Sequence, residues 1–419
     1  MQILFQNRQP DRIASLEEYR NSGGYEALTL ALKKYTRAEV QQLALDAVLL
    51  GRGGAGFPAG RKWMTVAESA PFPRYMVCNA DEMEPGTFKD RVLIHTDPHQ
   101  IIEGMIIVGY SVLAEKGIVF IRTSYENAAR IMEQEIVRAK EAGFLGKNIL
   151  GSGFSMEIAV HRSAGRYICG ENTAQMRAIE GKRANPTQPP PYATEKGIWG
   201  LPTVTHNVET LACIPHILRH GPEWFKSLAA TPTAAGTKLY CVSGRVNRPG
   251  CFELPMGTRL SEIIEDHAGG MQEGYQFKAC LPGGASTRFL PKSFYDIEMD
   301  FDAMKQAGHR LGTGSIIVFD HKTCLVAATL NMIEFFARES CGWCTPCREG
   351  LPYIREILSR IESGEGCNDD IPQLQRMCRY LCNTYCALAP GAVSPVESLL
   401  TYFEDDVQEH IRQRKCPFK

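Results

Sequence analysis

"YMVCNADEMEPGTFKDR", Tyr75 to Arg91, opens with four apolar residues and closes them with Asn79, Asp81, Glu82 and Glu84. A short apolar run that ends in clustered polar groups reads as a buried strand. Open parallel sheets place their ligands at the carboxyl ends of such strands. Downstream, "GIVFIRTS" (Gly117 to Ser124) and "FSMEIAVH" (Phe154 to His161) read as further strands. Helical periods fill roughly Pro98 to Glu115 and Tyr125 to Ala142. Strands that alternate with helices of this size predict an α/β architecture with a mostly parallel sheet.

Upstream, Ser15 to Leu50 holds two periodic helices, the second starting near Thr36 with Glu39 completing a capping box. Residues 181–205, "GKRANPTQPPPYATEKGIWGLPTVT", carry no period and read as linker or functional loop, followed by a helix in "NVETLACIPHILRHG". From Thr237 the pattern turns to short strands: a hairpin-like pair in "KLYCVSGRVNRPGCFELP", a helix in "TRLSEIIEDHAGG", a strand in "GYQFKACLPGGASTRFL" and another at Gly314 to Asp320. This predicts a small α+β domain. From Leu325 the chain reads as four helices, the last in "SPVESLLTYFEDDVQEHI", packed as a bundle.

Composition bounds the function. The 419 residues are enough for two or three cores, and 22% charged residues with a net charge of -1 describe a soluble chain without a nucleic-acid footprint. The apolar stretch Ile101 to Gly117 carries Glu103 and Glu115 and is too short to span a bilayer. The amino end lacks a basic region followed by an apolar block, so no export signal is expected, and membrane association would run through partners.

Cysteine is abundant, at 15 residues, but neither evenly spaced nor set in a small chain that needs staples. Cys78, Cys169, Cys213, Cys241, Cys280 and Cys324 fall in apolar runs and read as buried small hydrophobes; Cys367 and Cys416 fall in stretches that read as exposed. "ESCGWCTPCREG" differs: Cys341, Cys344 and Cys347 stand on one tight turn with Gly342 and Pro346. Zinc sites usually pair two Cys-x2-Cys knuckles, so three evenly tight thiolates suit an iron–sulfur cubane better. The fourth ligand must come from afar. Among Cys378, Cys382 and Cys386 we take Cys386, because the "ALAPGAVSP" after it reads as loop, while the other two fall at helical spacing. Arg348 could offset the charge of the cluster, which is either structural or electron-carrying.

"GRGGAGFPAG" contains the glycine fingerprint at Gly51, Gly53 and Gly56, preceded by a helix rather than a strand, and flanked by Arg52, Arg61 and Lys62. Backbone without Cβ atoms can approach a flat ring or offer N–H groups to a phosphate. Three polar clusters accompany it: Asn79 to Glu84, Gly170 and Glu171 in "GRYICGENT", and "THNVET" opening a helix. Together they point to a large polar aromatic ligand.

"GRGGAGFPAGRKW", "NADEMEPGTFKDR", "GRYICGEN", "NVETL" and "ESCGWCTPCREG" in one chain resemble the flavin-bearing, NADH-oxidising F subunit of respiratory complex I (NADH:quinone oxidoreductase). Diaphorase subunits of NAD-reducing hydrogenases and NAD-linked formate dehydrogenases belong to the same group. The resemblance covers about residues 15–415, and the lack of long cluster-bearing extensions favours the complex I subunit. It implies an N-terminal helical region (1–50) packed on a Rossmann-like FMN- and NADH-binding domain (51–235). It implies next a ubiquitin-like (β-grasp) SLBB-type domain (236–324) and a four-helix bundle with a [4Fe–4S] cluster (325–419).

Residue by residue, the resemblance places FMN phosphate and ribityl near Gly51, Arg52, Gly53, Gly54 and Lys62, with Asn79, Asp81, Tyr167, Gly170, Glu171, Asn207 and Thr210 completing the pocket. It places the nicotinamide of NADH near Glu82 and Glu84, the side chains it implies as catalytic, and the adenine against Phe57 and Tyr192. It gives the cluster Cys341, Cys344, Cys347 and Cys386. A flavin takes two electrons as hydride and releases them singly, so the pair converts two-electron to one-electron chemistry. The implied partners are a small [2Fe–2S] subunit and a large multi-cluster subunit, with the assembly peripheral on the cytoplasmic side of a bacterial inner membrane.

The chain departs from the family pattern in its nucleotide region. Asn172 stands for the second acidic residue of Gly-Glu-Glu-Thr-Ala-Leu, Pro189 for a lysine, Tyr192 for the usual aromatic, and His206 for the first of two asparagines. These changes are expected to alter NADH binding more than flavin or cluster binding. They keep a second class open, a non-catalytic assembly or relay protein that retains cluster and fold; a zinc-bearing structural protein is the third.

Overall fold

The computed structural model describes residues 2–9 and 12–418. The chain forms two compact units, each assembled from several stretches. The first takes residues up to Met83, Phe88–Tyr240 and Cys251–Thr258; the second takes Glu84–Thr87, Cys241–Gly250 and Arg259 onward.

The first unit is built on four strands: β1 (Tyr75–Ala80), β2 (Lys116–Arg122), β3 (Glu157–Ser163) and β4 (Thr203–Asn207). They form one parallel sheet in the order β3-β2-β1-β4. The expected strands are β1 to β3. β4 is additional: its "TVTHN" pairs with β1 in register Tyr75↔Thr203 through Asn79↔Asn207. Crossover helices Pro98–Val112 and Glu126–Glu141 match the predicted spans to within a turn. Pro98–Val112 is buried along nearly its whole length, which explains its apolar run.

Glu103 sits inside that helix for a reason. The first predicted N-terminal helix is two helices, Leu16–Asn21 and Glu26–Lys33, broken where Gly23 and Tyr25 take positive φ. Tyr25 offers the second helix no side-chain cap. The Glu103 carboxylate supplies one instead, accepting the N–H groups of Tyr25 (2.9 Å) and Leu28 (2.8 Å) and the Tyr19 hydroxyl. Burial, working against these donors, pushes the Glu103 carboxyl up to about 7. Thr36 and Glu39 form the predicted capping box of the helix Arg37–Asp46. A second buried carboxylate, Glu253, gathers the amino end: it accepts the N–H groups of Ile3 (2.9 Å), Leu4 (3.0 Å) and Phe5 (2.8 Å), and the Thr237 hydroxyl at 2.7 Å.

The second sheet uses β5 (Thr237–Gly244), β6 (Gly250–Pro255), β7 (Phe277–Leu281), β8 (Leu290–Pro291) and β9 (Ser315–Asp320). Its order is β6-β5-β9-β7-β8, with β5 parallel to the central β9 and β7 antiparallel to both β8 and β9. Two outer pairs around a parallel centre make the ubiquitin-like arrangement. The helical turn Leu260–Glu262 and the wider turn Ile263–His267 stand where one helix is predicted.

The helical region of the second unit holds five helices among the described residues, not four: Leu325–Glu339, Thr345–Glu362, Asp370–Leu381, Leu388–Tyr402 and Glu404–Gln413. The last predicted helix is interrupted at Phe403, whose φ of -138° and ψ of 31° leave the helical region. Glu404, Asp405 and Asp406 then start a new helix with negative charge at its positive end. "ALAPGAVSP", expected as loop, is mostly helical: Pro390 lies in the first turn, where no N–H partner is lost, and only Pro395 interrupts the bonding.

Candidate functional site

The order β3-β2-β1-β4 reverses direction at β1, so the carboxyl ends of β1 and β4 flank a topological switch point. Asn79 and Asn207 stand there in register. Asn79 donates through Nδ2 to the Gly170 carbonyl (3.4 Å) and accepts from the Asp81 N–H (3.2 Å). Asn207 caps the helix Val208–His220, its Oδ1 accepting from the Glu209 N–H at 3.1 Å. Buried Asp81 accepts the Ser163 hydroxyl, which ties the end of β1 to the end of β3.

The glycine loop closes beside this point. Leu50 bridges to Pro58, and the Gly51 N–H donates to the Phe57 carbonyl at 2.9 Å. A Cβ on Gly53 would come within 3.3 Å of the Asn207 Cβ, and Gly54 has a φ of +110°. A side chain at Gly53 would make Asn207 give by a few tenths of an ångström, and the φ of Gly54 is one that favours glycine. The Arg52 N–H donates to the Thr210 hydroxyl at 2.9 Å, so Thr210 holds the loop. The Arg52 guanidinium, by contrast, is fully buried and bound to the Ala235 carbonyl (2.8 Å) and Met256. Its charge points into the interior. Lys62 lies in the following helix, its Nζ donating to the Thr205 carbonyl at 2.9 Å, and burial pushes its pKa down to about 8. Phe57 is 47% exposed and Tyr192 61%, enough ring face for stacking.

A buried charge cluster supports Asn207. Lys89 Nζ reaches Asp90 (2.7 Å), Glu209 (2.9 Å) and the Asn207 Oδ1 (3.0 Å), while Asn207 Nδ2 donates to Asp90 at 2.6 Å. Lys238 Nζ meets Glu209 at 2.7 Å, and Glu209 also accepts the Leu239 N–H at 3.0 Å. Two ammoniums thus face two carboxylates, the balance that burial requires. Burial alone would raise the Glu209 carboxyl, but Lys238 and Lys89 outweigh it and hold the group down at about 2. Lys238 shares that carboxylate with Lys89, and burial with this second charge pushes it down to about 8. The sequence reading missed Lys89, Asp90, Glu209 and Lys238. The first three lie inside motifs it quoted, but nothing in the sequence says that they meet.

Glu82 has its carboxylate turned to the helix Lys89–Thr96, accepting the N–H groups of Asp90 (2.9 Å) and Arg91 (3.3 Å) and the Tyr125 hydroxyl (3.2 Å). It serves as the cap that Phe88 cannot provide. Burial, with Asp90 beside it, pushes Glu82 up to about 7. Glu84 falls in the second unit, where its Oε1 accepts the Ser286 N–H at 2.7 Å. Tyr167 and Gly170 form a tight turn, and Glu171 caps the helix Asn172–Ile179 through the Ala174 N–H at 2.8 Å. Gly170 and Asn172 are exposed.

In the second unit Cys344 stands just before the helix Thr345–Glu362, which puts Cys347 in its first turn, and Cys386 stands two residues before the helix Leu388–Tyr402. Helix N-termini favour thiolate charge. Burial pushes the Cys347 thiol up to about 11, with Cys344, Cys386 and Cys341 adding to the rise against the Ser340 hydroxyl. Cys382 faces Glu397 at 3.9 Å instead, and Cys378 is buried. Arg348 donates to the Gly342 carbonyl at 3.1 Å and pairs with Glu349 at 2.7 Å. Cys416, expected to be exposed, is buried.

Three family models match along the chain: the Nuo51 FMN-binding domain over residues 45–216, the SLBB domain over 239–290, and the NADH-ubiquinone oxidoreductase-F iron-sulfur binding region over 327–410. The F 2 subunit of NADH-quinone oxidoreductase in Rhizobium meliloti is 48% identical over 404 residues, 96% of each chain. The chain belongs to the family of NADH-quinone oxidoreductase F subunits. The F subunit of the Escherichia coli enzyme is 48% identical over 401 residues, 95% of this chain and 90% of the relative. Among solved structures, the NAD+-reducing [NiFe]-hydrogenase in its H2-reduced state aligns with a TM-score of 0.84 at 32% identity, over 98% of this chain and 68% of that one.

Within the pattern of this family, the departures of the chain can now be placed. His206 is buried on β4 and accepts the Trp63 indole N–H through Nε2 at 2.6 Å. Burial, and then Lys62, drives its pKa far below the ordinary histidine value, so it is neutral and packs Trp63 rather than carrying charge. Asn172 and Pro189 are exposed. A change there leaves the core undisturbed.

Proposed function

We propose that this chain is the NADH-oxidising flavoprotein subunit of a respiratory NADH:quinone oxidoreductase. The observation that carries the reading is the combination, in one chain of this family, of a backbone-lined cradle at a parallel-sheet switch point and a three-cysteine turn at one helix start, with Cys386 just before another. The cradle fits FMN: a Cβ at Gly53 would crowd it, Lys62 suits a phosphate, and Asn79 offers donor and acceptor to a heterocycle edge. The thiols of Cys341, Cys344, Cys347 and Cys386 fit a [4Fe–4S] cluster.

When bound, FMN supplies two-electron hydride acceptance with one-electron release, and the cluster one-electron carriage. The residues of the chain position and exclude. Gly51, Gly53 and Gly54 give the backbone approach, and Thr210 fixes the loop through the Arg52 N–H. Asn79, Asp81, Tyr167, Gly170, Glu171 and Asn207 border the ring. Phe57, Asn172 and Tyr192 receive the nucleotide, with Glu82 on the nicotinamide side. Glu82 acts mainly by holding the loop after β1 to the helix Lys89–Thr96.

The relatives are named as subunits, and the proposed setting is a multi-subunit enzyme with a small [2Fe–2S] subunit and a large multi-cluster subunit. Among the described residues no helix is long and apolar enough to cross a membrane. Peripheral attachment on the cytoplasmic face of a bacterial inner membrane is the proposed location. The hydrogenase likeness supports a second reading, the diaphorase subunit of a soluble NAD-linked hydrogenase, with the same chemistry and different partners.

The test is anaerobic addition of NADH to the full chain loaded with FMN and iron. The flavin absorbance is expected to bleach; a fully loaded chain whose flavin stays unbleached overturns the reading.

A further inference from the structure

Away from the four cluster thiols, the second unit brings Cys324, His410 and Cys416 together, their ligand atoms all within 4.8 Å of one another. We infer that these three side chains form a zinc site that fastens the C-terminal tail to the start of the helix Leu325–Glu339.

Four features of the geometry support it. Cys324 Sγ and His410 Nε2 are 3.3 Å apart. Two ligands of one tetrahedral zinc, with Zn–S of about 2.3 Å and Zn–N of about 2.0–2.1 Å, stand roughly 3.6 Å apart. The His410 Nδ1 sits 2.6 Å from the Asp406 carbonyl, so Nδ1 carries the proton and Nε2 presents its lone pair to the sulfur. This is the outer bond by which metal-ligating histidines are oriented. Cys324 also caps its helix, its sulfur accepting the Ala327 N–H at 3.3 Å, a bond that fixes where the sulfur stands. Lastly, the chain turns back sharply to deliver Cys416. The helix Glu404–Gln413 ends at Arg414 with a φ of +51°, and the Arg414 carbonyl lies so close to Gly364 that a Cβ there would meet it at 2.1 Å.

Charge and compartment agree. Two thiolates and one neutral imidazole cancel a dication, leaving a neutral centre where His410 and Cys416 are buried. On binding, the Cys324 and Cys416 S–H bonds break, their protons pass to solvent, and two Zn–S bonds and one Zn–N bond form without change of oxidation state. Cys324 is partly exposed, so water can fill the fourth position from its side.

The test uses the full chain with cluster and flavin in place, supplied with Zn2+ and washed with a chelator, then analysed for zinc and iron. About one zinc per chain is expected beside the iron, falling at least tenfold in Cys416→Ser and His410→Asn with iron and FMN unchanged. X-ray absorption at the zinc edge of the unmutated chain, which needs no variant to fold, is expected to show two sulfur ligands and two nitrogen or oxygen ligands, one from His410 and one from water. Absence of retained zinc overturns the proposal. So does zinc that survives in Cys416→Ser but disappears in Cys341→Ser, which would place it on the cluster thiols. Peptide mapping that finds a Cys324–Cys416 disulfide overturns it as well.

Discussion

The flavin cradle of the first unit is made of backbone passing close to backbone, held by charges that cancel beneath it. The cluster turn of the second is made of the ligating side chains themselves. On the proposed reading the cradle depends on residues that never touch its ligand, such as Lys238 and Glu209, whereas the turn would depend on its sulfurs and little else. A binding surface built from main chain needs an elaborate interior to hold it; one built from thiolates needs only two helix starts.

The sharpest attempt to break this contrast is Cys386→Ser. Iron and the cluster spectrum are expected to be lost or the cluster converted, with FMN retained, while Cys382→Ser leaves both; equal loss in the two variants would remove Cys386 from the ligand set. Next is Glu209→Gln, which leaves Lys238 and Lys89 short of a buried carboxylate and is expected to cost about 3–5 kcal/mol. Thermal unfolding should fall markedly while iron content holds, and an unchanged melting temperature would show that the cluster of charges does not support the cradle. A smaller effect is expected of Gly53→Ala, where the new Cβ must displace Asn207 or the loop. FMN affinity should weaken roughly tenfold, ~1.4 kcal/mol, with stability little altered; wild-type affinity would mean that the close approach is not part of the site.

The smallest effect is in pH. Lys62 without ligand titrates at about 8 because of burial, and a phosphate beside it would raise that value. Affinity for FMN is then flat from about pH 7, above the second phosphate pKa of about 6, to about pH 8, and falls by up to tenfold per unit above it, until the raised value of the complex is passed. Fluorescence titration of FMN across this range checks the sign. Affinity that does not fall above pH 8 would take Lys62 off the phosphate.

The same contrast explains how much the sequence disclosed. β1, β2 and β3 show in their apolar runs, and the three-cysteine turn in its spacing. β4 does not, because "TVTHN" is five residues long and becomes a strand only by pairing with β1. The burial of the Arg52 guanidinium is equally hidden, since a basic residue within a glycine loop invites assignment to a phosphate. "ALAPGAVSP" misleads through its prolines, one of which falls in a helical first turn where it does no harm. Cys416 reads as exposed near a polar chain end, and only the reversal at Arg414 buries it. What the sequence hides, in each case, is a partner supplied by another segment.

The Glu253 carboxylate that gathers the N–H groups of Ile3, Leu4 and Phe5 sets an order in time. During synthesis the amino end leaves the ribosome first, yet its acceptor is made about 250 residues later. The Cys251–Thr258 stretch that carries this acceptor belongs to the first unit, but Cys241–Gly250, made just before it, belongs to the second. No nascent chain shorter than this can finish the first unit. A stalled chain ending before Glu253 should expose its amino end to protease, and one that has released Thr258 should protect it.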